Sequence, residues 1–341
     1  MTSGSLNALQ LPQLPKALRS TPRMERHSAK YNTTTPTITN EAAAAVVGVR
    51  PPNIRASAKT WKRAWLFFGS VLPLLHAFDE YKPPDSSLAL HCLWWKALSA
   101  NDRQSPVYDQ GWAYDLLPRG TRILTKFRKF FPRLHHANVE IRTAFLDQTV
   151  TALSEQYQET HQVRLVTLGG GYDVRSLKLR ERGVIRESVE LDLPSVVEAK
   201  QALFSSRRFQ RRRPHAALPK LQPIDLNNLE QTKNILQSIL QQSKTDMGKP
   251  WHTIFLFEGV MIYLDEGIPS GLLNVTSTVL KDSLASGSLV FADRLENIPG
   301  CDEAAGRIEM ARNGWKLDRW LPKPGLARHM GSADLLDVQQ E

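Results

Sequence analysis

The chain has 341 residues, 41% of them hydrophobic, with a formal charge of +10 and a pI near 9.6. Its two cysteines, Cys92 and Cys301, lie far apart and in no metal-ligand spacing, which excludes a disulfide framework or a zinc-built core and fits a reducing compartment. The positive excess is local, in residues 1–60 and in Arg207, Arg208, Arg211, Arg212 and Arg213. No aromatic interleaving or helix-turn-helix pattern joins these into a nucleic-acid surface.

Residues 1–58 are rich in Ser, Thr, Pro and Ala, poor in acids and without apolar periodicity. Two readings stand, a disordered tail or an organelle transit peptide, and residues 1–10 lack the apolar block of a secretory signal. The first leaves the chain cytoplasmic, the second sends it to a plastid or mitochondrion. Residues 64–78, AWLFFGSVLPLLHAF, are strongly apolar. A membrane span needs roughly 20 such residues. This run is shorter, contains Pro73 and His76, and is bounded by Lys62, Arg63, Asp79 and Glu80. It reads as a buried or interfacial helix, with surface attachment through Trp61, Trp65, Phe67 and Phe68 as the alternative.

From residue 86, SSLALHCLWWKAL, GTRILTKFRKFF and NVEIRTAFLDQTVTALSEQYQ have helical spacing, and Leu146, Val150 and Leu153 mark one face. Residues 59–150 are therefore predicted to form an N-terminal helical cap. Residues 151–341 form the core. There RLVTL, ESVELD, KLQPID, WHTIFLF and GSLVFAD read as strands. DVRSLKLRERG, SVVEAKQALFSS (with Ser195 as N-cap), NLEQTKNILQSILQQS and IPSGLLNVTSTVL read as the helices between them. Such alternation predicts an α/β fold, a mostly parallel open sheet with helices on both faces.

Ligands of such sheets bind beyond the carboxyl ends of the strands, and the sharp polar features fall there. Gly169, Gly170 and Gly171 follow the first strand, Asp192 ends the second, Asp225 the third and Glu258 the fourth. Gly169 and Gly171 allow a tight turn against which a ligand can lie. A dinucleotide fingerprint would place its third small residue at Val174 and its diphosphate beside Asp173, which would repel it. No G-K-[ST] follows, so a phosphate-binding P-loop is absent. A cationic nucleoside cofactor without phosphates, S-adenosylmethionine, fits better. Asp192 is predicted to hold its ribose, and Asp225 with Leu226 its adenine.

VTLGGGYDVRSLKL, ELDLPSVVEAK, FEGVMIYL and RTAFLD, in this tandem, resemble the leucine carboxyl methyltransferase family over about residues 86–320. The resemblance implies a Rossmann-like class I methyltransferase fold. It implies that Arg142 pairs with the methionyl carboxylate of the cofactor and that Gly169 and Gly171 form its floor. Glu258 then lines the pocket near the methionyl ammonium and methyl, Tyr263 lies near the acceptor, and Asp173 with Arg175 shapes the loop. Gly170 stands where the family motif has alanine, and Val174 where it has threonine. The arginine helix differs from that of the branch acting on the type 2A phosphatase tail. About twenty residues follow GWKLDRWLP, which is short for a terminal β-hairpin.

The implied reaction is methyl transfer to an oxygen, with Glu258 and Tyr263 nearest the chemistry and no metal. No histidine is placed on the strand edge. A carboxylate acceptor, ionised at neutral pH, needs no general base. Arg175, Lys126 and Arg128 are candidate anchors for it. Three readings follow: a methyltransferase acting on a protein C-terminal leucine, such as that of a type 2A phosphatase; a small-molecule O-methyltransferase; and a non-catalytic cofactor-binding protein. Arg142, Gly169, Gly171, Asp192 and Glu258 occurring together argue against the third. A monomer is expected.

Overall fold

In a computed structural model, residues 87–100, 105–125, 133–241, 248–322 and 329–336 are described. The N-terminal tail, the apolar run 64–78, Lys126 and Arg128 lie outside them. Helices α1 (Ser87–Ala100), α2 (Trp112–Leu116), α3 (Arg119–Thr125) and α4 (Arg133–Tyr157) precede the first strand. The boundary drawn at 150/151 falls inside α4.

The core then runs β1 (Gln162–Leu168), α5 (Arg175–Glu181), β2 (Glu187–Asp192), α6 (Pro194–Ser205), α7 (Arg207–Arg212), β3 (Lys220–Pro223), α8 (Leu229–Gln241) and β4 (Trp251–Glu258). It continues with α9 (Ile268–Asp282), β5 (Ser286–Asp293), α10 (Glu303–Arg312), β6 (Trp315–Pro322) and β7 (His329–Leu335). The described strands form one seven-stranded sheet in the order β3-β2-β1-β4-β5-β7-β6. The first five are parallel, and β7 runs antiparallel to both β5 and β6.

Alternation along the strands assigns the two faces. Val166, Leu168, Phe255, Phe257, Leu289 and Phe291 pack with residues of α8, α9 and α10. Val163, Leu165, Ile254, Leu256, Val290 and Ala292 pack with α4 and α5. Both faces are covered, which is why β4 reads as an unbroken apolar run.

Two expectations are corrected here. A terminal hairpin is present: β6 and β7 pair from Trp315↔Leu335 to Pro322↔His329. Trp315 is fully buried and donates its indole N–H to Leu273 O at 2.8 Å, fixing the hairpin to α9. Ser195 is not an N-cap. Helix α6 begins at Pro194 after an extended Leu193, whose carbonyl accepts from Val196 and Val197. Proline suits that first position because its missing N–H would be unpaired there anyway.

The chain builds outward from β1 to β3 and returns to β4 on the other side of β1. Strand order reverses between β1 and β4, and the crevice at their carboxyl ends is where such sheets bind ligands.

Candidate active site

Leu168 ends β1, and the chain turns on Gly169 (φ +74°) and Gly171 (φ +46°). A Cβ on Gly169 would lie 2.4 Å from Val260 Cγ2, so the turn after β1 and the turn after β4 touch only because Gly169 has no side chain. Leu191 O accepts from Gly169 and Gly170 at 2.8 and 3.2 Å. Asp192 Oδ2 accepts from Gly171 N at 2.6 Å and Oδ1 from Leu193 N at 2.8 Å. Asp192 thus braces the loop, and each oxygen keeps acceptor capacity for a diol. Burial pushes its pKa up against these backbone donors. Gly170 is coupled to Glu190: a Cβ there would lie 2.9 Å from Glu190 Oε2. That carboxylate is buried, paired with Lys200 and bonded to Ser176.

At the end of β4 stands Glu258, only 6% exposed. Three cations converge on it. Lys96 Nζ lies 3.0 Å away, Arg142 Nε 2.8 Å from Oε1, and Arg175 Nη1 2.8 Å from Oε2. Burial alone would raise the Glu258 pKa; Lys96, Arg175 and Arg142 outweigh it and hold the carboxyl well below the usual range. Lys96 also pairs with Asp173 at 3.0 Å. Arg175 pairs with Asp173 and, at 2.7 Å, with Asp147, which Lys178 also reaches. Burial likewise opposes ionisation of Asp173, and Arg175 and Lys96 win there too.

The turn after β4, which ends in a 3-10 helix over Met261–Tyr263, is held by Asp293 at the end of β5. Asp293 Oδ2 accepts from Val260 and Met261 at 2.7 and 3.0 Å, and Oδ1 from Arg294 at 2.8 Å. Burial raises its pKa. Tyr263 is 56% exposed on this turn, its phenol raised by partial burial. After β3, Asp225 closes an Asx turn on Asn227 N and Leu226 is buried. Asn228 caps α8 by accepting from Gln231 N.

The structure therefore brings Arg142, Gly169, Gly171, Asp192 and Glu258 to the β1–β4 crevice, with Asp225 and Leu226 along the same edge and Tyr263 at its rim. Arg175 cannot anchor an acceptor: it is 2% exposed and committed to three carboxylates. Two residues were missed. Lys96 is one lysine in an apolar helix and carries no motif. Asp293 resembles any strand-ending acid, although its place at the end of the fifth strand was a usable signal. The edge does hold a histidine, His329, opposite Asp293. Its Nδ1 accepts from Leu295 N, and its Nε2 donates to Gly300 O.

These residues suit S-adenosylmethionine. A carboxylate with spare acceptors is chemically matched to a diol, and a buried leucine to an apolar ring. Glu258 with Arg142 and Lys96 offers both charge signs to a zwitterionic amino acid. The sequence pattern of the leucine carboxyl methyltransferase family matches residues 89–276, more than half the chain, and spans every one of these positions up to Tyr263. The chain belongs to the leucine carboxyl methyltransferase family. It is an S-adenosylmethionine-dependent methyltransferase, and its sheet is the Rossmann-like class I methyltransferase arrangement. No curated protein matches the chain.

Solved structures similar in outline include magnesium protoporphyrin IX methyltransferase from Synechocystis PCC 6803 with bound S-adenosylmethionine. It is 14% identical over 61% of this chain and 86% of that one, with a TM-score of 0.39. A putative O-methyltransferase from Nostoc punctiforme PCC 73102 is 11% identical over 73% and 72%, with a TM-score of 0.34.

Proposed function

We propose that this family member is a carboxyl O-methyltransferase. The observation that carries the reading is the absence of a usable base among the described groups of the crevice. Three cations hold Glu258 ionised and well below the usual range, which makes it a weak base; Asp192 braces the glycine turn and faces the ribose, Asp293 accepts from three backbone N–H groups, burial raises the Tyr263 phenol, and both ring nitrogens of His329 are engaged. A C-terminal carboxylate, with a pKa of about 3.3–3.7, needs no deprotonation at neutral pH, whereas a phenol or alcohol would. The C-terminal leucine of a type 2A protein phosphatase catalytic subunit is the acceptor we favour, and a small-molecule carboxylate is the second reading.

When bound, S-adenosylmethionine supplies a methyl on a sulfonium, electrophilic enough for a carboxylate to accept it. Asp192 would hold the ribose, Asp225 and Leu226 the adenine, and Gly169 and Gly171 the floor. Arg142 and Lys96, already paired with Glu258, would share their charge with the methionyl carboxylate, and Glu258 its charge with the ammonium. Tyr263 would line the acceptor side. Exposed Arg294, next to the Asp293 that pins the Tyr263 turn, replaces Arg175 as the acceptor anchor. Rate enhancement would come from alignment of two reactants.

The test gives the purified chain methyl-labelled S-adenosylmethionine with a phosphatase-tail peptide ending in a free leucine, and the amidated peptide beside it. The reading expects base-labile label on the free acid alone. Equal labelling of both peptides, or transfer only to hydroxyl compounds, would overturn it.

A further inference from the structure

Helix α7 carries Arg207, Arg208, Arg211 and Arg212, and Arg213 follows it. Its one buried side chain is Phe209, which packs on Phe204 and Trp112 at ring distances of 5.3 and 6.2 Å. That leaves five arginines on one small surface. Among the described residues a single carboxylate, Asp115, answers them. Arg213 Nε lies 3.1 Å from it, Arg208 3.4 Å and Arg212 3.9 Å. Arg207 and Arg211 are exposed and make no ion pair there. On the neighbouring rim Arg180 donates to Leu218 O, and Arg182 and Arg186 are exposed.

Two of the guanidinium groups are fixed by rings: Arg213 lies 4.0 Å over Trp112 and Arg208 5.6 Å over Tyr114. Arg213 is turned to Asp115 and, at 2.6 Å, to Gln110 O, so the guanidinium groups that face outward for a partner's carboxylates are those of Arg207, Arg211 and Arg212. Asp115 already shows which group the cluster accepts. Trp112 also donates to Glu181 at the end of α5, a helix that starts beside the glycine turn. The cluster therefore lies toward the opposite end of the sheet from the crevice, and the mechanism does not use it.

We infer that the α7 surface is a docking site for an acidic protein segment. Protein is favoured over nucleic acid because Trp112, Phe204 and Phe209 beneath the cluster are buried and Tyr114 is covered by Arg208. The rings under the guanidinium groups are therefore closed to a stacking base, and the exposed Tyr108 and His215 lie beside the cluster, not beneath it. The inference does not depend on the identity of the methyl acceptor.

The test measures binding of a labelled twelve-residue Glu/Asp-rich peptide to the full chain at physiological salt by fluorescence anisotropy. A twelve-nucleotide uridine RNA and phosphatidylserine vesicles are run beside it. The variants are Arg207→Glu/Arg211→Glu/Arg212→Glu and the milder Arg207→Gln/Arg211→Gln, with S-adenosylmethionine affinity as the folding control. The peptide should bind, tighter than the RNA or the vesicles. Affinity should fall at least about tenfold in the triple variant and several-fold in the double, with cofactor affinity unchanged. Peptide binding that is absent, or equal in wild type and both variants, overturns the inference. RNA or vesicles binding more tightly than the peptide, and losing that binding in the double variant, would overturn the choice of a protein partner.

Discussion

Glu258 shows most plainly how one residue organises this site. It is a buried carboxylate held ionised by Lys96, Arg175 and Arg142. Removing one partner from such a cluster leaves the others uncompensated, at a cost of about 3–5 kcal/mol. Glu258→Gln should lower unfolding stability by that order in urea titrations and weaken cofactor binding; a change under about 0.5 kcal/mol, the range of ordinary surface substitutions, would contradict the cluster's role. The pH dependence has a definite sign. The folded pKa of Glu258 lies below its ordinary 4.5, so its stabilisation is complete above that pH and lost as pH falls through the folded value. Asp192 and Asp293, raised by burial, oppose this trend. Gly169→Ala should fail for a steric reason, since its φ of +74° disfavours a side chain and the new Cβ would meet Val260 at 2.4 Å. A loss of about 1–2 kcal/mol from the backbone alone is expected, and a thermal midpoint equal to wild type would refute it.

At the scale of elements, the turn after β4 depends on β5 through Asp293. Asp293→Ala removes the acceptor of three backbone N–H groups. Leaving buried donors unpaired costs about 1–3 kcal/mol each where water cannot reach them. The variant should unfold at lower urea, and an unchanged midpoint would show that the turn holds itself. The opposite end of the sheet gives a second test. His252, on β4, stacks 3.6 Å from Tyr157 and meets Ser286 and Ser288 at 2.8 and 3.1 Å. Burial first, then His161, pushes it from 6.5 down to about 3. A base with a depressed folded pKa is protonated on unfolding, so stability is full above pH 6.5 and declines below it by up to about 1.4 kcal/mol per pH unit. Unfolding measured at pH 7 and pH 5 should show that decline in wild type and its loss in His252→Gln; parallel behaviour would contradict the assignment. Strand β2 and the glycine turn were legible because their signals are local: alternation, then residues that tolerate positive φ. Lys96 was not, since its meaning arises only when α1 packs on α4 and brings the ammonium to Glu258 at the end of β4. The terminal hairpin was not, because WKLDRWLP and HMGSADL declare themselves only when β7 pairs with β5 on one side and β6 on the other. Asp192 was legible by position, but its role as a brace for Gly171 N appears only in three dimensions.

For the whole molecule, the sheet order places the switch point between β1 and β4, and in this methyltransferase family member that crevice is the proposed cofactor site. The positive charge divides by location. Arg142, Arg175 and Lys96 are spent on Glu258, Asp147 and Asp173, while the α7 arginines exceed their one carboxylate. The net charge of +10 is thus not a property of the crevice. The central claim is that S-adenosylmethionine lies along this edge with its ribose on Asp192. The most direct measurement is calorimetric titration of S-adenosylmethionine into wild type and Asp192→Ala. The account predicts one site in wild type and at least about a tenfold loss in the variant, with the variant still folded by circular dichroism. Equal affinity in the two proteins would contradict it.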